Sequence, residues 1–509
     1  MKSKSEINRK AKLHAAKQFD DTSYCKGDGG DGKNSFNLQL VIAVAALSGF
    51  VMAYLFSEDN VTSLPDKKRS WESVDVNSPP IYQHFDCTKE NLEDLLLDTD
   101  DAFTKYNMKI PHGVSGLHVL CLSRNENEFI DLRIYKAALN ESLTELGISP
   151  GPRQLSVMNN FQSLHTTLVN EFRLTPTLNP SRETIQNWAL YSPNGHLIYR
   201  DDELNVSDNR LESILNLALS SGIILLYEGG IFVWPGVRVG YRREVEVSSL
   251  ITSVETNHQL FSNFGLFGRD EVGSSGMVTL ETTSIVPLIF TVQNFLTEEE
   301  CDLIRSRAEP TMKSSTISHN DEDVKSPSSK WRTSSSTFLY PRKAIEDDVL
   351  LDIDRRVASL TRIPLSHQEV AQVLKYNYLQ KYNSHNDYFD NNIYRKNPDT
   401  QTLIQGGRRN RLATVFWYLS DVDEGGGGET LFPRWNGRRT PRDLSDCSIG
   451  LKVRPEKGKV LLFYSMAADG NLDPYSLHGA CPISKKEFTK WAANKWVWNS
   501  KMDFMNGYV

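Results

Sequence analysis

From Ile285 to Trp498 the chain is a succession of short β-prone runs separated by Gly, Pro and Asn. Val286–Val292, Glu369–Tyr376, Ala413–Leu419, Lys459–Tyr464 and Lys495–Trp498 are the clearest of them. Many short strands at this spacing predict two packed antiparallel sheets, a β-sandwich or jelly roll. One helix enters the series: Thr297-Glu298-Glu299-Glu300 is a capping box, and Cys301, Ile304 and Ala308 follow at the spacing of a core-facing stripe.

A chain of 509 residues has room for about two to four domains. Its 39% hydrophobic and 10% aromatic residues suffice for real cores, and a net charge of -7 gives no reason to expect nucleic acid as a partner. Residues 1–37 are Lys-rich and then Gly/Asp-rich, the composition of a disordered basic arm. Residues 38–56, LQLVIAVAALSGFVMAYLF, carry no charge and are long enough to cross a bilayer. No small-residue cleavage site follows, so an uncleaved anchor is preferred to a signal peptide. The basic arm on one side and Ser57-Glu58-Asp59 on the other orient it with a cytosolic N-terminus, single-pass type II, and a lumenal body. Sequons at Asn60, Asn140 and Asn205 all follow the anchor, as do five of the six cysteines. Disulfides are allowed there, and an odd number leaves one cysteine free or paired between chains.

Residues 57–80 read as a polar stalk. Residues 81–245 read as a mixed α/β region, with a helix through Leu132, Tyr135, Leu139, Leu143 and Leu146, a hairpin about Ser192-Pro193-Asn194-Gly195, a helix from Asp208 to Ser220, and a hairpin from Ile223–Tyr227 to Ile231–Trp234. Its histidines, His112, His118 and His165, are isolated and carry no evident chemistry. Residues 246–284, rich in Ser, Thr and Gly, read as a linker, and 285–500 as the β domain.

Within that domain Tyr382-Asn383-Ser384-His385-Asn386-Asp387-Tyr388-Phe389 puts a His and an Asp two positions apart in a β-prone run, hence on one strand face. The H-x-D spacing alone is weak in a chain with 11 histidines. His478 lies in another strand-like context, and Lys490-Trp491 follows it. Two His and one carboxylate on one side of an iron leave positions open for a co-substrate and dioxygen. A nearby Lys can pair with the far end of a dicarboxylate co-substrate.

The blocks NFLTEEECDLI, WRTSSSTFL, YNSHNDYFD, RLATVFWYLSDV, GGETLFP, VRPEKGKVLLF, DPYSLHGACPI and TKWAANKW occur in this order between Val286 and Trp498. This stretch, roughly two fifths of the chain, resembles the prolyl 4-hydroxylases among the iron(II)/2-oxoglutarate dioxygenases. The resemblance implies an α+β fold: a C-terminal double-stranded β-helix (jelly-roll) catalytic domain with flanking helices, after the mixed α/β region and the N-terminal transmembrane helix. It implies His385, Asp387 and His478 as iron ligands and Lys490 as the partner of the 2-oxoglutarate 5-carboxylate, with Tyr376 reaching the same carboxylate. Thr414 and Trp496 would line that pocket, and Tyr382 and Arg411 would touch a peptide substrate. Plain core packing is the other reading of Tyr376, Thr414 and Trp496. The implied activity is 4-hydroxylation of peptidyl proline in secretory-pathway proteins, with Fe(II), 2-oxoglutarate, dioxygen and ascorbate, releasing succinate and CO2. A proline-rich peptide or secreted protein would be the substrate, and through its anchor the chain would sit in the endoplasmic reticulum or Golgi membrane with the catalytic domain in the lumen. The alternatives are the same chemistry on another residue or a small molecule, or a binding module that has lost catalysis.

Three departures from the family pattern stand out. The interval from His478 to Lys490 is two residues longer than usual, which an even insertion in a turn accommodates without changing strand parity. Lys486 is the rival to Lys490. Two extra glycines precede Gly427-Gly428-Glu429-Thr430, and Trp498 stands where many members have His.

Overall fold

Ile223–Tyr227 reads IILLY and is buried at every position. Such a run is stable only where both faces of a strand are covered. In the computed structural model, which describes residues 72–74, 83–96, 115–127, 129–136, 153–174, 188–201, 208–248, 273–317, 330–341 and 349–502, both faces are covered.

The chain runs β1 (Glu72–Val74), α1 (Lys89–Glu93), β2 (Leu117–Arg124), β3 (Phe129–Lys136), β4 (Arg153–Met158), α2 (Phe161–Phe172), β5 (Ala189–Tyr191), β6 (Leu197–Arg200), α3 (Asp208–Ser221) and β7 (Ile223–Tyr227). It continues through β8 (Arg242–Ser248), β9 (Gly273–Ser284), β10 (Ile289–Gln293), α4 (Glu298–Ala308), β11 (Lys313–Ser314), β12 (Ser335–Leu339), α5 (Val349–Thr361) and β13 (Ala371–Tyr376). The last elements are β14 (Tyr382–His385), α6 (Pro398–Ile404), β15 (Arg411–Tyr418), β16 (Thr430–Phe432), β17 (Leu451–Val453), β18 (Val460–Tyr464), β19 (His478–Ala480) and β20 (Lys490–Trp498).

Three sheets result. An accessory sheet of six strands has the order β4-β3-β2-β7-β5-β6. The main sheet of ten runs β1-β9-β10-β18-β15-β20-β13-β12-β11, with β8 beside β9, and a minor sheet of four runs β14-β19-β16-β17. The main and minor sheets enclose Leu374, Phe416, Tyr418, Phe432, Val453, Leu461, Phe463 and Ala492, so this half is a double-sheet jelly roll.

Side-chain parity explains the layers. Even residues of β13 and β20 and Phe416 and Tyr418 of β15 point into the sandwich, whereas Val373, Ala413, Val415, Trp417, Ala493 and Val497 point away from it. That outer face packs on α4, α5 and one face of the accessory sheet, including Leu117, Val119, Ile223 and Leu225, in one continuous core. The opposite accessory face, through Leu120, Leu122, Ile224 and Leu226, is covered by α2 and α3. Polar staples cross the same boundary. Trp234 Nε1 donates to the Leu360 carbonyl at 2.7 Å, and Arg362 Nε to the Asn194 carbonyl at 2.8 Å.

The capping box forms as expected, with Thr297 and Glu300 capping each other's backbone N–H. So do the Ser192–Gly195 hairpin, with Gly195 at φ +81°, and the helix begun by Asp208. Leu132 and Tyr135 are not helical. They lie in β3, where Ile130, Leu132 and Ile134 alternate into the core between β2 and β4. Leu139, Leu143 and Leu146 lie outside the described residues. Ile231–Trp234 does not close a hairpin with β7. Its Phe232 and Trp234 turn into the shared core instead, a tertiary demand overriding strand propensity. The stretch 246–284 is more than a linker: β8 and β9 pair over seven residue partners and extend the main sheet. β1 pairs with β9 within the segment read as a stalk. The basic arm, the apolar run 38–56 and the three sequons lie outside the described residues, among which no helix is long and apolar enough to cross a membrane.

Cys87 pairs with Cys121 and Cys447 with Cys481, which among the described residues leaves Cys301 free and buried, while Cys25 lies outside them. His118 Nε2 pairs with Glu228 at 2.8 Å and His165 with Asp201 at 3.0 Å, both within the accessory part and apart from the metal centre, and His112 lies outside the described residues.

Candidate metal centre and co-substrate pocket

β14 ends on His385 and β19 begins on His478, and the two are cross-strand partners. Each ring is oriented by its own strand. Nδ1 of His385 lies 3.0 Å from the Asn383 carbonyl, and Nδ1 of His478 lies 2.9 Å from the Ser476 carbonyl. A carbonyl only accepts, so each Nδ1 carries the proton and each Nε2 keeps a free lone pair. The Nε2 atoms face Asp387 at 3.6 Å and 3.5 Å. His385, Asp387 and His478 can offer ligand atoms that all lie within 4.8 Å of one another, a set suited to one ion.

Asp387 does not continue the strand. It sits on a bend beyond β14, so the pair converges by a turn of the backbone and not by sharing a strand face. The bend is held from β15. Thr414 Oγ1 donates to Asp387 Oδ2 at 2.6 Å, and an Arg411 nitrogen donates to the Asp387 carbonyl at 3.3 Å. Burial would raise the Asp387 carboxyl, but in the acid range where it titrates the charged forms of His478 and His385, with Arg411, outweigh burial and hold the group far below the usual carboxylate range. Burial pushes His478 down to about 4, against the pull of Asp387, so the ring is neutral at pH 7. A deprotonated carboxylate and a neutral imidazole are forms in which these groups bind a divalent metal.

Lys490 opens β20 opposite Tyr376. Its Nζ is buried and has no hydrogen-bond partner among the described residues. The rings of Tyr376, Phe416 and Tyr418 surround it at 5.4, 5.5 and 5.5 Å. Burial pushes the amine down to about 7, with Glu429 pulling the other way. A buried cation without an anion costs several kcal/mol. An orphaned amine in an aromatic cage therefore fits a dicarboxylate whose far end it would neutralise. Gly428, at φ +74°, keeps the cage open, since a Cβ there would lie 2.5 Å from Ile483 Cδ1 and 3.4 Å from Lys490 Cδ. The two extra residues form an exposed turn, and Lys486 points out over the Tyr378 ring, 5.6 Å away.

Thr414 and Trp496 are cross-strand partners on the inner face between Lys490 and Asp387. Tyr382 stacks on His385 with centroids 3.7 Å apart. A register shift between Arg411 and Ala413 turns Arg411 to the same side as Thr414, with its guanidinium 3.6 Å from the Trp496 ring centre. Arg411 is not a free cation: Glu369 takes a two-pronged bond from it at 2.6 and 3.0 Å. Trp498 is buried and donates Nε1–H to the same Glu369 at 2.7 Å. Glu369 and Arg332, whose guanidinium lies 4.6 Å from the Tyr382 ring, belong to the site without having been singled out from sequence. A carboxylate at the head of the apolar β-prone run Glu369–Tyr376 was the only local signal for Glu369.

Residues 371–498 match the family model described as 2OG-Fe(II) oxygenase superfamily. The Arabidopsis thaliana protein named Probable prolyl 4-hydroxylase 3 is 42% identical over 231 residues, covering 44% of this chain and 74% of its own. Probable prolyl 4-hydroxylase 8 of the same plant is 38% identical over 272 residues, covering 52% and 85%. Among solved structures, the viral collagen prolyl hydroxylase of Paramecium Bursaria Chlorella virus-1 is 24% identical and covers 42% of this chain and 96% of its own, at a TM-score of 0.28, too low to equate the folds.

Proposed function

The chain belongs to the prolyl 4-hydroxylase family of 2-oxoglutarate-dependent dioxygenases, and on that premise we propose that it 4-hydroxylates prolyl residues of secretory-pathway proteins. One juxtaposition carries the reading: a His385–Asp387–His478 cluster with its Nε2 lone pairs turned inward, and an unpaired buried amine, Lys490, on the same inner face.

His385, Asp387 and His478 would hold Fe(II) on one side only. Lys490, with Tyr376 beside it, would fix the far carboxylate of 2-oxoglutarate by a charge-assisted bond, which positions the co-substrate. Together, bound metal and co-substrate supply oxidation by dioxygen, one oxygen leaving in succinate beside CO2 and the other in the product hydroxyl. Thr414 keeps Asp387 oriented, and Trp496 and the aromatic cage exclude water. Tyr382 and Arg411 border the side on which a peptide would lie. Ascorbate is the reductant proposed for turnovers uncoupled from hydroxylation.

The disulfides Cys87–Cys121 and Cys447–Cys481 support an oxidising compartment. With residues 38–56 as the anchor, the body would face the lumen of the endoplasmic reticulum or Golgi. A mass shift on glycosidase treatment of the expressed full chain supports that placement, and protease sensitivity of the body in sealed microsomes rules it out.

The function is tested by 2-oxoglutarate turnover against proline-rich peptides, with the product read by mass spectrometry. His385→Ala and Asp387→Ala are expected to abolish peptide-dependent succinate release while circular dichroism stays unchanged. Wild-type activity in the double variant sinks the reading.

A further inference from the structure

β16 and β17 are joined by a long loop, 433–450, which carries Arg434, Arg438, Arg439 and Arg442 within nine residues. The loop is pinned around the metal centre. Arg434 Nη1 donates to the Pro474 carbonyl at 3.0 Å, and its guanidinium lies 4.4 Å from the Tyr475 ring centre, next to the Ser476 carbonyl that orients His478. The Leu444 carbonyl accepts the Ser384 N–H at 2.7 Å, one residue before His385, and Cys447 is bridged to Cys481, three residues after His478. Between these points Asn436 and Gly437, at φ +57° and +74°, turn the chain, and the Asn436 N–H donates to the Val286 carbonyl at 2.9 Å. Arg434 is thus occupied in holding the loop. Arg438, Arg439 and Arg442 are exposed, and none of them has an ion pair among the described residues. The loop's own carboxylates are engaged locally: Asp443 accepts from the Ser445 N–H and hydroxyl, and Asp446 from the Ser448 N–H, each at 2.8 Å. On a chain of net charge -7 the result is a local reversal of sign at the rim of the metal centre.

We propose that Arg438, Arg439 and Arg442 read carboxylates of the substrate, which is therefore a peptide with Asp or Glu residues near the proline that reacts. This rests on the peptide-hydroxylase reading above and names the class of its substrate. Three observations carry it. The cations are arginines, whose planar fork matches a carboxylate and holds it by two parallel N–H bonds. They are free, so no internal pair has to break before a ligand pairs with them. Like charges this close repel one another, and an anion docked among them relieves that repulsion as well as forming pairs. Their place on a loop pinned beside both histidine ligands makes a substrate approaching the metal the anion they meet first. The reach follows from the pin at Leu444. At no more than about 3.6 Å per residue, Arg442 lies within about 7 Å of that pin and Arg438 within about 22 Å. A polyproline II chain at about 3.1 Å per residue covers the longer span in roughly seven residues. The acidic positions thus fall within about seven residues of the target proline. Exposed charges concentrate a charged ligand and are screened by salt, so the preference is strongest at low ionic strength.

The test uses the Fe(II)-loaded full chain and two synthetic Pro-containing peptides of one sequence. The first carries Asp and Glu on both sides of the target proline, and the second carries Asn and Gln at the same positions. Wild type at low salt is expected to show a KM roughly tenfold lower for the acidic peptide, with the difference shrinking as salt is added. In the Arg438→Gln/Arg439→Gln/Arg442→Gln variant, all three sites being exposed, the acidic peptide's KM is expected to rise to that of the amide peptide. The amide peptide's KM, kcat and the KM for 2-oxoglutarate do not move. Equal KM values for the two peptides in wild type, or a preference that survives in the variant, overturn the proposal. Anionic phospholipid vesicles test the rival occupant: if they bind wild type over the variant while the two peptides are not distinguished, the arginines face a membrane and the proposal falls. Calorimetry of peptide binding separates this inference from the function. Tighter binding of the acidic peptide through the arginines, with no proline hydroxylated, refutes the function and keeps the arginine rim. Hydroxylation of both peptides at equal KM keeps the function and refutes the rim.

Discussion

If Lys490 is the dicarboxylate partner proposed above, the affinity for 2-oxoglutarate should depend on pH, with a sign that follows from its cage. Burial holds the free amine near 7, so it is about nine-tenths charged at pH 6 and about one-tenth charged at pH 8. Only the ammonium form pairs with a carboxylate, so binding draws the amine toward its charged form and takes up a proton. The apparent Kd for 2-oxoglutarate should then rise about tenfold between pH 6 and pH 8, a loss of roughly 1.4 kcal/mol. Calorimetry on the full chain loaded with Mn(II), which binds without turnover, measures this directly. Repeating it at pH 7 in buffers of different ionisation heat should reveal uptake of about half a proton. Lys490→Met should bind 2-oxoglutarate far more weakly and show no such slope. A flat affinity from pH 6 to pH 8 in the wild type, or the same slope in Lys490→Met, refutes the assignment of Lys490 as the dicarboxylate partner.

The same substitution should stabilise the unliganded protein. A lysine whose folded value lies below its unfolded one binds fewer protons when folded, so its burden is fully present below pH 7 and vanishes as pH rises through the unfolded value. Lys490→Met should therefore raise Tm by several degrees at pH 6 and by little at pH 10, as thermal melts can show. Thr414→Val removes the 2.6 Å bond to Asp387 and should weaken divalent metal binding about 10–100-fold, read by metal titration, without a matching fall in Tm. Cys447→Ser/Cys481→Ser opens a closed loop between residues 34 apart, and urea melts should show a loss of about 3–4 kcal/mol. Trp498→Phe deprives Glu369 of one donor while leaving its pair with Arg411, so the peptide KM should change before the KM for 2-oxoglutarate does.

What the sequence disclosed was what local rules govern. The capping box at Thr297 and the hairpin at Ser192–Gly195 depend on neighbours a few residues away, and both formed. Leu132 and Tyr135 misled because a 3–4 spacing with residues beyond them coincided with the strict alternation Ile130-Leu132-Ile134, and sheet partners decided between the two. The His385–Asp387 pair was legible as chemistry but not as geometry, since a bend held by Thr414 and Arg411 cannot be read from the spacing. Glu369 stayed hidden because its partners, Arg411 and Trp498, lie 42 and 129 residues away. Trp498, noted only as a departure from the family pattern, acquires a role once its indole is seen to hold that carboxylate.

The accessory sheet reaches the metal centre by a short route. Gly116 and Gly229, at the ends of β2 and β7, lie against the loop at 466–472. Gly229 N–H donates to the Ala468 carbonyl at 2.8 Å, Ser115 Oγ to Asp469 at 2.9 Å, and a Cβ on either glycine would lie 2.6 Å from the loop. That loop runs through Asp473 to the Ser476 carbonyl that orients His478. In evolutionary terms the two halves cannot drift apart: a lineage that enlarges either glycine pushes on a ligand of its own metal centre. Among chains that carry both halves, Gly116 and Gly229 should vary less than the residues around them, and loss of the accessory sheet should coincide with a rebuilt 466–472 loop.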